Sequence, residues 1–178
     1  MSLIKVKGSS ITGALAAVDG SALTGIAGGK ILKVTTAEYT SDSTSTSSSY
    51  STFLTLSVTP TAANSNLLAI ASLNFQMYGN NSTQTPDGKI CIATPSDVIR
   101  AQQGYSLNSM LNANDGFEEI TGSIMAYWNQ NTTSAFDVRL RFAVRSAGRM
   151  RVFGNSVGDP FNPSPTRLTV LEVAAWLI

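Results

Sequence analysis

The sequence predicts an all-β fold, an antiparallel β-sandwich or jelly roll preceded by an extended N-terminal arm. Three observations carry this. Runs with period-2 alternation recur from residue 30 onward. Clusters of Gly, Pro, Ser, Thr and Asn punctuate them. Helical spacing is weak everywhere, with only a mild trace around Leu107 and Leu111. The 178 residues suffice for one domain with a core, or one domain and a short arm.

The N-terminal stretch, residues 1–29, differs from the rest. Ile4 and Val6 alternate with Lys5 and Lys7, as in a short strand. Then Gly8-Ser-Ser-Ile-Thr-Gly13 returns as Gly20-Ser-Ala-Leu-Thr-Gly25, twelve residues on. Each copy carries one aliphatic residue between glycines, which can plug a pocket but cannot build a core. Such a segment buries too little surface to offset the entropy of its own ordering. It reads as an anchoring arm, with a Gly-rich linker as the alternative. Its apolar side chains, Leu3, Ile4, Val6, Ile11, Leu15, Val18, Leu23 and Ile26, are expected to be buried against other chains. Ala27-Gly28-Gly29 marks the boundary with a second unit, residues 30–178.

Strands follow in order. Lys30–Thr35 places Leu32 and Val34 on one face and Ile31, Lys33 and Thr35 on the other. Ser41–Ser49 is a polar surface loop. Phe53–Thr59 alternates cleanly after its first residue, and Pro60 ends it. Leu67–Met77 has an apolar face throughout; its other face begins apolar at Leu68 and Ile70 and turns polar at Ser72, Asn74 and Gln76. That pattern fits a central strand running out to a solvated end. A loop spans Gly79–Gly88. Lys89–Ala93 and Val98–Gln103 are short strands, and Gly104–Glu118 is a long connection. Ile120–Trp128 resumes the alternation. Phe136–Val144 is the clearest strand; Ser146-Ala-Gly148 turns it into Arg149–Phe153 as its partner. A rigid Pro-rich loop, Asp159–Pro165, leads to a last apolar strand from Arg167 to Ile178.

Composition removes much chemistry. There is no histidine, which excludes His-based triads, His-ligated metal and the commonest general base. A single cysteine, Cys91, forms neither an internal disulfide nor a Cys-rich metal cage, and its place between Ile90 and Ile92 marks it as a core residue. Glu118 and Glu119, as strand neighbours, point to opposite faces and do not flank one bond. Gly25-Ile-Ala-Gly-Gly-Lys30 lacks the spacer and the hydroxyl residue of a phosphate-binding loop, and leads into a strand. The chain therefore reads as a non-enzyme with no cofactor and no metal. A net charge of +1 gives no field for nucleic acid. No apolar run approaches the roughly 18 residues of a membrane span, and no signal-peptide h-region is present.

With only 13 % charged residues, the arginines stand out. Arg139, Arg141, Arg145, Arg149 and Arg151 fall within one short window, the first three on one strand face. A turn at Gly148 would bring the last two beside them. The face is either a solvated surface or a contact for a carboxylate-bearing partner or a neighbouring protomer. Tyr78, Trp128 and Phe161 fall at strand ends or loops, where aromatics either cap the core or stack on sugar rings.

Asp19-Gly-Ser-Ala-Leu-Thr-Gly-Ile26, followed by Gly28-Gly-Lys-Ile-Leu-Lys-Val34, resembles bacteriophage virion proteins, particularly the last part of tail fibres. The likeness continues through the Ser/Thr-rich loop, Leu56-Ser-Val-Thr-Pro60, Asn66-Leu-Leu-Ala-Ile-Ala71 and the closing Leu168-Thr-Val-Leu-Glu-Val173. It covers about residues 19 to 75 and the C-terminus. The resemblance implies a homotrimeric β-rich head domain on the virion surface, held to capsid or tail proteins, with no catalytic residues. The motif follows Met1 with no long shaft between. A short fibre is therefore expected, with a capsid decoration (cement) protein as one alternative and a module for host-surface glycan as another.

Overall fold

In the computed structural model the described residues are 31–79, 87–106, 117–144, 148–153 and 165–174. They form ten strands: β1 (Ile31–Glu38), β2 (Ser43–Ser45), β3 (Ser51–Val58), β4 (Ser65–Gly79), β5 (Asp87–Thr94), β6 (Val98–Ser106), β7 (Phe117–Gln130), β8 (Phe136–Val144), β9 (Gly148–Val152) and β10 (Arg167–Val173). A 3-10 turn, Pro95–Asp97, joins β5 to β6. All pairings are antiparallel, in two sheets. One sheet has six strands in the order β1-β10-β4-β9-β2, with β7 also paired to β4; the other has four, β3-β8-β5-β6. This is the sandwich that the alternation predicts.

Strand β4 organises the larger sheet. β7 pairs with it from Ser65 to Tyr78. On its opposite edge β10 pairs with Asn66–Ser72 and β9 with Phe75–Gly79, end to end. Its inward residues Leu67, Ala69, Ala71, Leu73, Phe75 and Met77 are buried, as the period-2 pattern requires. They meet Leu56, Val58, Ile90, Ile92, Val138, Leu140 and Phe142 from the four-stranded sheet in one apolar cluster. Burying a side chain such as Phe75 or Phe142 contributes about 2–3 kcal/mol each. Phe53, the residue where the β3 alternation slips, sits at a bulge between Thr52 and Leu54. There its ring meets Tyr39 and Phe142 edge-on at 5.4 Å from each. Tyr105 packs edge-on against Phe75 at 4.7 Å. Gly122 gives it room: a Cβ there would lie 3.3 Å from the Tyr105 hydroxyl.

Several expectations are corrected. The polar Ser41–Ser49 loop contains β2, which pairs with β9. β6 runs through Gly104 to Ser106, and β7 begins at Phe117, so the expected long connection is shorter. A bulge between Ile31 and Lys33 resets β1, leaving Ile31 and Val34 both exposed. The largest correction concerns β8 and β9, which are not partners. β8 lies between β3 and β5, whereas β9 lies in the other sheet between β4 and β2. There Met150 and Val152 extend the inner face beyond the end of β10 and are buried against β4. A β8–β9 hairpin would also have set arginines opposite arginines, which is unfavourable.

Among the described residues one acidic side chain is built into the interior. Glu172 on β10 is only 2 % exposed. Its carboxylate accepts bonds from the Ser65 hydroxyl at 2.6 Å, the Thr61 amide at 2.9 Å and the Ala62 amide at 3.1 Å. Burial alone would raise its pKa, but these bonds outweigh burial and hold it below the ordinary value. Glu172 thus pins the turn between β3 and β4, in which Asn64 is left-handed at φ 67°.

Candidate interaction surfaces

The arginines are divided by the change of sheet. Arg139 and Arg141 lie on β8 in the four-stranded sheet. Asp97 carries a positive φ of 58° in the turn after β5, and reaches Arg141 at 2.7 Å and Arg139 at 4.0 Å. Asp137 lies 3.4 Å from Arg139. Arg141 also donates to the Tyr50 carbonyl at 3.1 Å. The Tyr50 ring has Lys89 Nζ at 4.6 Å and Arg141 Cζ at 5.5 Å from its centre, and its hydroxyl bonds to Gln102. Arg149 and Arg151 lie on β9 in the other sheet. Arg149 stacks on Tyr78 with 4.1 Å to the ring centre. Arg151 pairs with Asp42 and lies 4.9 Å from the Phe153 ring centre. Arg145 lies outside the described residues. The four described arginines of the expected contact face are therefore engaged by their own chain.

The Tyr50 network also covers the cysteine. Cys91 is fully buried, and burial pushes its thiol pKa up against the opposing pull of Tyr50, Arg141 and Lys89. Burial likewise raises the Tyr50 phenol to about 12, with Cys91 adding to the rise. A thiol in this state is inert.

Of the three aromatics, Trp128 points inward. It is 6 % exposed, lies opposite Leu67, donates to Gln130 Oε1 at 3.0 Å and has the Arg100 guanidinium 5.5 Å from its ring. Tyr78 is half-buried under Arg149 and bonds to Gln76. Phe161 lies outside the described residues. A cleft of about 280 Å³ opens between Asp87, Lys89, Gln102, Tyr105 and Ser106. That is under the roughly 300–1,000 Å³ usual for a small-molecule site. Among the described residues no group of three His, Cys, Asp or Glu side chains is placed to hold a metal ion. Nor do they include a helix long and apolar enough to cross a membrane.

The outer face of the six-stranded sheet is different. At the level of Asn66–Ser72 of β4 it is four strands wide, β1-β10-β4-β7, and its residues line up in register. Val34, Leu171, Leu68 and Tyr127 form one row. Thr36, Thr169, Ile70 and Met125 form the next, with the two threonine hydroxyls 3.1 Å apart. Val34, Tyr127 and Met125 are 57 %, 61 % and 62 % exposed. Ile31, 53 % exposed, continues the surface beside Val173. The ion pair Glu38–Arg167 borders it at one end, and Asn129, bonded to Asn66 at 3.2 Å, at the other. No described residue covers it. The sequence showed its trace in Leu68 and Ile70, apolar on the second face of a strand read as central. Its full extent depends on the registers of β1, β7 and β10. The expected anchoring residues Leu3, Ile4, Val6, Ile11, Leu15, Val18, Leu23 and Ile26 lie outside the described residues.

No protein-family model matches this chain. No curated protein matches it either. Among solved structures it is similar to dimeric latent PorU from Porphyromonas gingivalis, at 9 % identity and a TM-score of 0.35, over 77 % of this chain and 13 % of that one. It is also similar to the VP2 subviral particle of infectious bursal disease virus, at 12 % identity and a TM-score of 0.31, over 80 % and 38 %. The Gx strain of the same virus gives 12 % and 0.29, over 83 % and 37 %. The chain thus spans less than two fifths of each of these proteins. Likenesses this distant carry no argument about function.

Proposed function

We propose that this chain is a structural protein of a bacteriophage virion. It is a short, trimeric, fibre-type protein whose residues 1–29 attach to capsid or tail proteins and whose sandwich forms the head. The observation that supports this best is the apolar sheet face beside Ile31 at the start of β1, which no described residue covers. A contiguous apolar patch of this kind is the mark of a surface meant for another protein. The tail-fibre-like motifs around Ile31 supply the class of assembly. Attachment to the head as a decoration protein would use the same arm and differ only in place. Glycan recognition through Tyr78 and Trp128 is not favoured, because one is stacked under an arginine and the other is interior.

The test is incorporation into particles. Full-length protein should co-purify with virions and be seen on them by immunogold labelling. A chain lacking residues 1–26 should retain its β-sheet spectrum and melting transition but be absent from particles. A truncated chain that enters virions normally would overturn the proposal.

A further inference from the structure

Among the described residues, five strands lie at a sheet edge: β1, β2 and β7 in the larger sheet, β3 and β6 in the smaller. An edge leaves a row of N–H and C=O groups that can template a further strand, and brevity, bulges, charge or proline ordinarily blunt it. Four of these edges are blunted. β1 has the bulge between Ile31 and Lys33 and carries Lys33 and Glu38. β2 has three residues. β3 has the bulge between Thr52 and Leu54. In β6 the register skips Arg100, since Ala101 lies opposite Ile92 and Ile99 opposite Ala93. β7 has none of these devices along most of its length. It pairs with β4 in unbroken register from Phe117 to Gln130, and from Ile120 to Gln130 it holds neither charge nor proline. We infer that the free edge of β7 accepts a strand from another polypeptide, one that is extended, apolar beside Met125 and Tyr127, and basic beside Glu119. This interaction surface goes beyond the reading above and does not depend on attachment to a particle.

The edge itself selects the kind of partner. Backbone groups pointing away from β4 are satisfied by another extended backbone, and not by a helix, whose backbone bonds are internal. Side chains then select between strands. On its outer side β7 runs from polar to apolar, through Glu119, Thr121 and Ser123 to Met125 and Tyr127. The last two are 62 % and 61 % exposed, with β4 flanking them on one side. The β7 of a second copy, laid antiparallel along its whole length, reverses that order. Met125 then meets Ser123, Tyr127 meets Thr121 and Glu119 meets Asn129, so neither the apolar pair nor the carboxylate finds its complement. Slipping the two copies until Met125 faces Tyr127 leaves Phe117 to Thr121 without an opposite residue. A strand of different sequence meets both ends.

Amide hydrogen exchange of the full chain, read residue by residue, tests this. The probe is a short synthetic peptide of alternating Val and Thr with blocked ends and a C-terminal Lys, which antiparallel addition sets beside Glu119. In the protein alone, every second amide of β7 should exchange freely. Added peptide should slow those amides about tenfold or more. The same peptide N-methylated along both of its edges should not. Exchanging its Lys for Glu should weaken binding about two- to fivefold, the range of an exposed charge pair, and Glu119→Gln should remove that difference. Met125→Lys with Tyr127→Lys should weaken binding about tenfold with an unchanged circular dichroism spectrum, since both side chains are exposed on the sandwich. Alternate β7 amides already protected in dilute protein would overturn the inference, because the chain then covers its own edge. Protection that rises with protein concentration would overturn it in favour of a second copy. So would equal protection by the N-methylated peptide, or none by the unmethylated one. Absence of the chain from particles, with the peptide result intact, would fell the attachment reading and leave this one standing.

Discussion

Replacing Glu172 by Gln should destabilise the sandwich by roughly 2–4 kcal/mol at neutral pH. The carboxylate is 2 % exposed and receives three donors, the Ser65 hydroxyl and the amides of Thr61 and Ala62. Each charge-assisted bond exceeds a neutral one by about 0.5–1.5 kcal/mol. Gln also has only one acceptor oxygen, so its amide nitrogen faces the Thr61 amide, which now reaches both carboxylate oxygens at 2.9 Å. For a chain of this size the loss corresponds to about 5–12 °C in melting temperature. The sign with pH follows from the lowered pKa of Glu172. Its contribution is fully present above the unfolded value near 4.5 and is lost as pH falls through the lower folded value. Thermal melts of both proteins from neutral to acid pH should therefore show curves that converge below pH 4.5. A difference under about 0.5 kcal/mol at neutral pH, or a gap that widens on acidification, would refute the reasoning.

Three further outcomes are expected. Trp128→Ala should cost about 3–5 kcal/mol in urea unfolding, because the ring fills the interior opposite Leu67; a change within about 0.5 kcal/mol would place the ring at the surface. Cys91 should react with a disulfide reagent about 100-fold more slowly than a free thiol until the chain unfolds, and Tyr50→Ala should speed that reaction by removing the cover over it. Gly88→Ala should cost about 1–3 kcal/mol by thermal melt, since its Cβ would lie 2.5 Å from Met150 Cε and 3.3 Å from the Ala143 carbonyl.

The sandwich was legible because alternation is local. Leu54, Leu56 and Val58, or Phe136 through Val144, announce a half-buried strand whatever lies beside them. Pairing is not local, and there the sequence misled. Gly148 between two arginine-bearing strands has the form of a hairpin, yet β8 and β9 go to opposite sheets. What decides the matter is the free edge of β4 beyond Asn74, which Met150 and Val152 fill and which no pattern within residues 136–153 reveals. β2 was hidden for the same reason: Ser43–Ser45 has no apolar signal and is a strand only because β9 offers it an edge. The role of Glu172 was not legible, because its three donors come from more than a hundred residues away in the chain.

The same dependence on pairing explains why the arginines drew attention that belongs elsewhere. In a chain with so few charges, five arginines close together stand out, and they suggest an outward task. Folding turns the described ones onto this chain's own groups: Asp97 and Asp137 on one sheet, Asp42, Tyr78 and Phe153 on the other. Bonds of this kind satisfy the guanidinium groups without calling for a partner. The outer rows of the larger sheet have no such satisfaction available. Exposed Met125, Tyr127 and Val34 gain nothing from solvent, and no described strand shields them. Soluble monomers rarely leave contiguous apolar rows of this kind uncovered. Among the described residues, the uncharged outer rows of the larger sheet are thus the surface left without a partner inside the fold.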